Sequence, residues 1–272
     1  MAKKNRVNET LVVAALQLDS GPDWPTNRAA IDGLVAGMAV APDVLVLPEM
    51  FNVRHIGQAF HTESINGPCV RYLKQLAFQT GATIIGGSFA EATMHNKAYN
   101  TTLVVAPSGD IQATYRKLHL FDANLSQGTV NESAKFVAGN APSIVSWGRQ
   151  WHIGLSICYD LRFPELYRYY QAKGANVMVV PSCFTRETGQ KHWEVLLRAR
   201  AIENQCYVVA PNQCGIGSQG VNTHGHSMVV SPSGEIMAQA DGSSPCVIVA
   251  TLSMADIQRV RGQLKRPVRI LF

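Results

Sequence analysis

The sequence predicts an α/β protein, a four-layer α-β-β-α sandwich built from two halves related by a pseudo-twofold. Three observations carry that expectation. Strand-like β-branched runs alternate with amphipathic helical patterns along the 272-residue chain, and such alternation argues βαβ units. Two phrases occur twice: DVLVLPEMF at 43–51 matches NVMVVPSCF at 176–184, and VVAPSGDI at 104–111 matches VVSPSGEI at 229–236, at offsets of 133 and 125 residues. No linker, low-complexity stretch or charge block separates the halves, so residues 1–272 read as one domain. Each half would supply one sheet with helices on its outer face. The alternative, that strand–turn phrases recur by chance, stays open at this level.

The elements follow in order. Val12–Leu18 is strand-like, and Ile31, Leu34, Val35 and Met38 recur at helical spacing between Thr26 and Val40. Asp43–Leu47 reads as a buried strand stopped by Pro48. Cys69–Thr80 reads as a helix with Gly81 as its left-handed stop. Ala82–Ala90, Asn100–Ala106 and Ile111–Tyr115 are strands, the last two joined by a Pro-Ser-Gly-Asp turn. Trp151–Ile157 is a strand, followed by a helix from Pro164, a favoured first helical residue, to Gly174. Asn176–Val180, a helix over Gln190–Gln205, strands near 207–210, 226–231 and 246–251, and a helix around 254–264 complete the pattern.

Composition excludes several classes. The chain is 46% hydrophobic and 16% charged, which is ordinary for a globular protein. Net charge is +5, but Lys and Arg are dispersed; Lys3, Lys4 and Arg6 are too few for a nucleic-acid footprint. The N-terminus has charge without an apolar signal region, and no run approaches the ~18 apolar residues of a membrane span. The six cysteines (Cys69, Cys158, Cys183, Cys206, Cys214, Cys246) then read as reduced thiols of a cytoplasmic protein.

The strongest chemical signal runs from His152 to Tyr167, where a strand passes through Cys158 toward a helix. A cysteine there is exposed to the positive end of a helix dipole, which favours thiolate. Most cysteines are small core residues, and Cys183, Cys206, Cys214 and Cys246 lie in or beside strands. A thiol nucleophile needs a base and a cation or donors for the oxyanion. Glu49 follows the strand 43–47 and Lys117 follows the strand 111–115, so all three can occupy strand ends on one edge; singly, each would be an ordinary surface charge. Gly215–Gly220 fits G-x-G-x-x-G but leads into a strand rather than a helix, against a dinucleotide site. His224 and His226 lack the further ligands a zinc site needs. Gly154–Cys158 is not G-x-S-x-G, since Cys158 takes the final glycine's place.

Together Leu47-Pro-Glu49, Tyr115-Arg-Lys117-Leu-His-Leu-Phe-Asp122 and Gly154-Leu-Ser-Ile-Cys158-Tyr-Asp-Leu-Arg-Phe-Pro-Glu-Leu-Tyr167 resemble the nitrilase superfamily of carbon–nitrogen hydrolases, over about residues 10–265. The resemblance implies the sandwich fold, a Glu49–Lys117–Cys158 triad, no metal or cofactor, and a homodimer or larger homo-oligomer. His192–Ala210 and Gly225–Val230 are similar to the Nit branch, which contains ω-amidases and the amidase of deaminated glutathione. That similarity implies a small linear amide substrate bearing a carboxylate, cleaved to acid and ammonia through a thioester. It implies Glu132 as a second active-site carboxylate, the backbone N–H of Tyr159 at the oxyanion, and Arg162 on the substrate carboxylate, with Phe184 and Thr188 on the pocket loop. The alternative for Arg162 is a salt bridge within the fold. The loop Gln213–Thr223 and the tail Arg266–Phe272 depart from the branch pattern. Competing expectations are N-carbamoyl or nitrile hydrolysis and, from another class, a catalytically idle partner-binding module.

Overall fold

A computed structural model describes residues 9–54, 60–94, 96–126, 128–216 and 221–265; the tail from Arg266 and most of the glycine pattern 215–220 lie outside them. The chain begins β1 (Thr10–Gln17), α1 (Trp24–Ala36), β2 (Val44–Val46), α2 (Pro68–Thr80) and β3 (Thr83–Ile85). These three strands are adjacent and parallel, with Val13 opposite Val44 and Val44 opposite Thr83. Antiparallel strands β4 (Phe89–Ala92), β5 (Ala98–Val105) and β6 (Ile111–Arg116) follow. A small hairpin, β7 (Asp122–Leu125) with β8 (Gly128–Asn131), and β9 (Ile144–Trp147) lead to the second half.

That half repeats the plan: β10 (Trp151–Leu155), α3 (Pro164–Ala172), β11 (Val177–Val179), α4 (Arg186–Asn204) and β12 (Tyr207–Ala210) give three adjacent parallel strands. Antiparallel β13 (Met228–Val230) and β14 (Ile236–Gln239) come next, then β15 (Cys246–Ser253) and α5 (Met254–Gln263). The duplicated phrases therefore occupy equivalent places. DVLVLPEMF carries β2 and NVMVVPSCF carries β11, each the middle parallel strand, and the two Pro-Ser-Gly turns join β5 to β6 and β13 to β14. The halves also interlock, because β15 returns to pair with β1 over its whole length, from Thr10 opposite Ser253 to Gln17 opposite Cys246. The result is one seven-stranded and one six-stranded sheet.

Strand alternation sorts the layers. On the first sheet Leu11, Val13, Ala15, Val44 and Val46 join one core with Ile153, Leu155, Val177 and Val179 of the second sheet. The opposite face (Ala14, Leu16, Leu45, Ile84) packs on Ile31 of α1 and on Leu73, Leu76 and Ala77 of α2. Behind the second sheet, Tyr170 of α3 and Trp193, Leu197 and Ala201 of α4 are buried. Gly154 makes that approach possible, since a Cβ there would stand 2.7 Å from the Tyr170 ring. The fold is thus mixed α/β, two mixed sheets flanked by helices.

Four expectations need adjustment. The strand over 82–90 is two strands, β3 and β4, lying along different stretches of β5. The break falls at Gly86–Gly87, where Gly87 has φ +52 and a Cβ would come within 2.0 Å of the Pro48 carbonyl oxygen. Backbone approaches backbone there, so only glycine fits. The helix expected to reach Val40 stops at Ala36, with Gly37 capping back to the Gly33 and Val35 carbonyls. Helix α4 begins at Arg186, before the expected Gln190, and its Gly189 receives the His224 ring where a Cβ would be 2.3 Å away. Strands β7, β8, β9 and β14 were not expected; they are short and largely half-buried or exposed, so they lack a strong apolar pattern.

Candidate active site

The ends of three strands, β2, β10 and β6, deliver the site. β2 ends at Val46 and the chain runs through Leu47 and Pro48 to Glu49, whose side chain is buried. β10 ends at Leu155, and Cys158 opens a 3₁₀ helix over Cys158–Arg162. β6 ends at Arg116, and Lys117 follows, fully buried. Met50 and Cys158, beside and within the site, are two of four non-glycine residues with positive φ (54° and 46°) among the described residues. Such backbone persists only where its surroundings hold it, and it clusters at functional sites.

At Cys158 the holder is Asp160. This carboxylate has no exposed surface and accepts from the Ile157 amide (2.9 Å), the Tyr115 hydroxyl (2.7 Å), the His119 amide (3.0 Å) and His119 Nδ1 (2.7 Å). The Cys158 amide continues the parallel ladder by donating to the Pro181 carbonyl at 2.9 Å. The Tyr159 amide, in the first turn of the 3₁₀ helix, has no hydrogen-bond acceptor among the described residues.

Around the thiol stands a buried polar cluster. The Lys117 ammonium donates to Glu49 Oε1 at 3.0 Å and to both oxygens of Glu132, at 3.0 and 2.8 Å. Its three hydrogens are thereby committed to two carboxylates. Glu132, at the start of the 3₁₀ helix Glu132–Ala134, also accepts from the Phe121 amide at 2.6 Å. Glu49 Oε2 accepts from the Cys183 amide at 2.8 Å. The Asn100 side chain donates from Nδ2 to Glu49 Oε1 at 2.9 Å and to Glu132 Oε1 at 3.1 Å.

These charges set the protonation states. Burial opposes the Lys117 charge, but Glu132 and then Glu49 carry the ammonium well above its ordinary value, so it stays charged. Burial pushes the Cys158 thiol well up, the Glu49 charge adds to that, and Lys117 opposes it. This reverses the expectation that a helix field favours the thiolate. Helix α3 starts only at Pro164, beyond the 3₁₀ helix, whereas burial and a carboxylate act directly on the sulfur. At neutral pH the sulfur is a thiol and needs a base.

A cavity opens beside Cys158, lined by Phe121, Tyr159, Arg162, Phe184 and Thr188. The Arg162 guanidinium stands over the rings of Phe184 (5.3 Å) and Tyr159 (5.8 Å) and donates to His192 Nδ1 at 3.3 Å. Among the described residues no carboxylate pairs with it. Thr188 hydroxyl and Thr185 hydroxyl are 2.9 Å apart at the cavity wall. The second lobe, toward Glu49, Lys117 and Glu132, shares Cys158, Cys183 and Phe121 with the first.

The structure thus brings Glu49, Lys117, Cys158 and Glu132 into one cluster, with Tyr159, Arg162, Phe184 and Thr188 on the adjoining wall. Sequence reasoning missed Asn100, the Cys183 amide and Asp160. A signal for Asn100 existed. Counting back from the Pro-Ser-Gly-Asp turn, with one residue for the bulge at Val104/Val105, sets Asn100 beside Lys117, and the Lys117 amide donates to the Asn100 carbonyl at 2.9 Å.

Residues 12–262 match the family model of the carbon-nitrogen hydrolases. A deaminated glutathione amidase of Synechocystis is 40% identical over 93% of this chain and 95% of its own length. The omega-amidase NIT2 of Xenopus tropicalis is 36% identical over 83% of this chain and 81% of its own. Among solved structures, Nit3 of Saccharomyces cerevisiae, a member of branch 10 of the nitrilase superfamily, superposes with a TM-score of 0.79 at 30% identity, covering 94% of each chain.

Proposed function

Since this chain belongs to the carbon–nitrogen hydrolases of the nitrilase superfamily and acts on amides, we propose that Cys158 attacks a small linear carboxamide carrying a carboxylate at its far end. Deaminated glutathione, which the name of the Synechocystis relative gives as its substrate, or an α-keto-acid ω-amide is the substrate type. The observation that carries this reading is the pairing of a buried Glu49–Lys117–Cys158 cluster with a guanidinium, Arg162, that has no carboxylate partner and faces the same cavity.

In the first half-reaction Glu49 takes the Cys158 proton and the thiolate adds to the amide carbonyl. The oxyanion accepts the Tyr159 N–H and one Lys117 N–H. Lys117 frees that hydrogen by releasing its longer bond to Glu132, while Asn100 and the Phe121 amide keep Glu132 in place. Removing one such donor typically costs ~10²–10³ in rate. Glu49 returns the proton to the departing nitrogen, ammonia leaves, and a thioester remains. Glu49 then deprotonates water, which attacks the thioester; the acid departs and Cys158 recovers its proton.

Arg162 recognises the distal carboxylate through two parallel N–H donors. Replacing Arg162 by lysine keeps the charge and loses the fork. KM for an acidic amide is expected to rise about ten-fold with kcat little changed, while a neutral amide is cleaved as before. Equal effects on both substrates would remove this assignment. The six free thiols fit a cytoplasmic protein, and no helix among the described residues is long and apolar enough to cross a membrane. A homo-oligomer belongs to the same reading, and sedimentation tests it.

The function itself is tested by ammonia release from deaminated glutathione, α-ketoglutaramate, an N-carbamoyl amino acid and a simple nitrile. Turnover of a keto-amide that disappears in Cys158→Ala supports the reading. Turnover of the carbamoyl compound or nitrile alone would retain the nucleophile and replace the substrate class. No turnover with an inert Cys158 would leave a partner-binding module.

A further inference from the structure

Asn100 lies on β5, is 1% exposed, and sends one amide nitrogen to two carboxylates at once, Glu49 Oε1 at 2.9 Å and Glu132 Oε1 at 3.1 Å. The Lys117 ammonium reaches the same two oxygens, each at 3.0 Å. Glu49 Oε1 therefore has two donors, enough to occupy both its lone pairs. Among the described residues Glu49 Oε2 has one backbone donor, the Cys183 amide, and the Cys158 thiol hydrogen-bonds the same carboxylate. From this asymmetry we infer that Asn100 is a positioning residue for the base: with Lys117 it saturates Oε1, so that Oε2 is the oxygen that takes the Cys158 proton. The inference rests on the reading of Glu49 as base and assigns which of its oxygens acts.

Two further features separate this role from ordinary strand filling. The neighbours Thr101 and Thr102 each place their hydroxyl on a single acceptor, Glu91 Oε2 and the Gly87 carbonyl. The Asn100 carbonyl oxygen of the side chain, by contrast, is buried with no hydrogen-bond partner among the described residues. A buried unsatisfied acceptor costs stability, so an apolar or threonine side chain would serve a merely structural position better. What the amide supplies is a neutral donor between two like charges. A second cation there would neutralise the two carboxylates and Lys117 outright, and an apolar group would leave Lys117 alone between the two like charges.

The groups facing Glu49 fix what a pH measurement reads. Lys117 from the end of β6, Glu132 from its 3₁₀ helix, Cys158 from the turn after β10, and Cys183 from the segment after β11 surround it, and Arg54 lines the same lobe. Arg54 is committed to Asp19, Ser20, Cys214 and Thr223 and does not reach Glu49. Removing the Asn100 donor leaves this set intact and withdraws one hydrogen bond that favours the ionised carboxylate.

The test compares wild type, Asn100→Leu, Asn100→Thr and Glu49→Gln, with circular dichroism as a check on folding. One readout is kcat/KM against pH on whichever amide wild type turns over. The other is the rate of Cys158 alkylation by iodoacetamide against pH, which needs no substrate. For Asn100→Leu the acidic limb of both profiles is expected to move up by about one pH unit. Its kcat is expected to fall about ten-fold or more at neutral pH, with KM within about three-fold. Asn100→Thr, which keeps a donor, should recover part of the shift. A folded Asn100→Leu protein whose two profiles coincide with wild type overturns the inference. So does a loss of activity that tracks lost stability with both limbs unmoved. If wild type cleaves no amide, the functional reading fails by itself, and the alkylation profile still decides the role of Asn100.

Discussion

Replacing Cys158 by alanine should lower ammonia release by about 10⁴-fold or more, the scale on which removing a nucleophile acts elsewhere, and should leave the fold in place. The sulfur is buried in a cluster whose remaining members hold one another: Lys117 bridges Glu49 and Glu132, and Asp160 holds the turn through the Ile157 amide rather than through the thiol. Alanine at φ +46 is no more strained than cysteine there, so the melting temperature should move by only a few degrees. The companion variant is Glu49→Gln. Because burial and Glu49 keep the sulfur protonated at neutral pH, loss of the base should cost about 10²–10⁴ in kcat/KM. Residual turnover above one per cent of wild type in Cys158→Ala would mean that another group makes the first bond.

The second large effect is expected at Lys117, on activity and on stability together. Lys117→Met leaves Glu49 and Glu132 facing each other in a buried site without the ammonium between them. Breaking a buried charge pair in this way costs about 3–5 kcal/mol, or a fall of about 6–20 °C in melting temperature for a chain of this size. Activity should fall at least about 10²-fold. Adding Glu132→Gln should recover much of the stability, since one uncompensated charge is removed, and none of the activity. The sign with pH follows from the raised Lys117 value. The folded state holds the proton more tightly than the unfolded chain, so the contribution is whole below the unfolded value of about 10.4 and is lost as pH rises through the folded one. Thermal melts of the three proteins between pH 7 and 10 should keep wild type highest throughout. A single variant as stable as wild type would show that the carboxylates are not held by Lys117.

Most of the architecture was legible because it is written in short-range periodicity. The unbroken apolar runs Val44–Leu47 and Val177–Val180 record strands buried on both faces. The helical spacing after each records the layer outside, and the repeated Pro-Ser-Gly turns record two equivalent hairpins. The misjudged elements are those whose pattern is set by distant neighbours. Gly86–Gly87 breaks a strand because the Pro48 carbonyl passes there, and β7–β9 are too exposed to carry a pattern.

What the sequence by itself determined is that three chemically apt residues, Glu49, Lys117 and Cys158, follow strands in a twice-repeated plan. Only the tertiary structure decided how they meet. Asn100 and Glu49 are 51 residues apart in the chain, and Glu49 and the Cys183 amide 134; their contacts depend on register and sheet packing, which local pattern does not encode. The state of the thiol was decided there too. A turn near a helix argued for a thiolate, but burial, which penalises the charged sulfur, and then the adjacent Glu49 carboxylate outweigh it, because the helix begins only several residues further on.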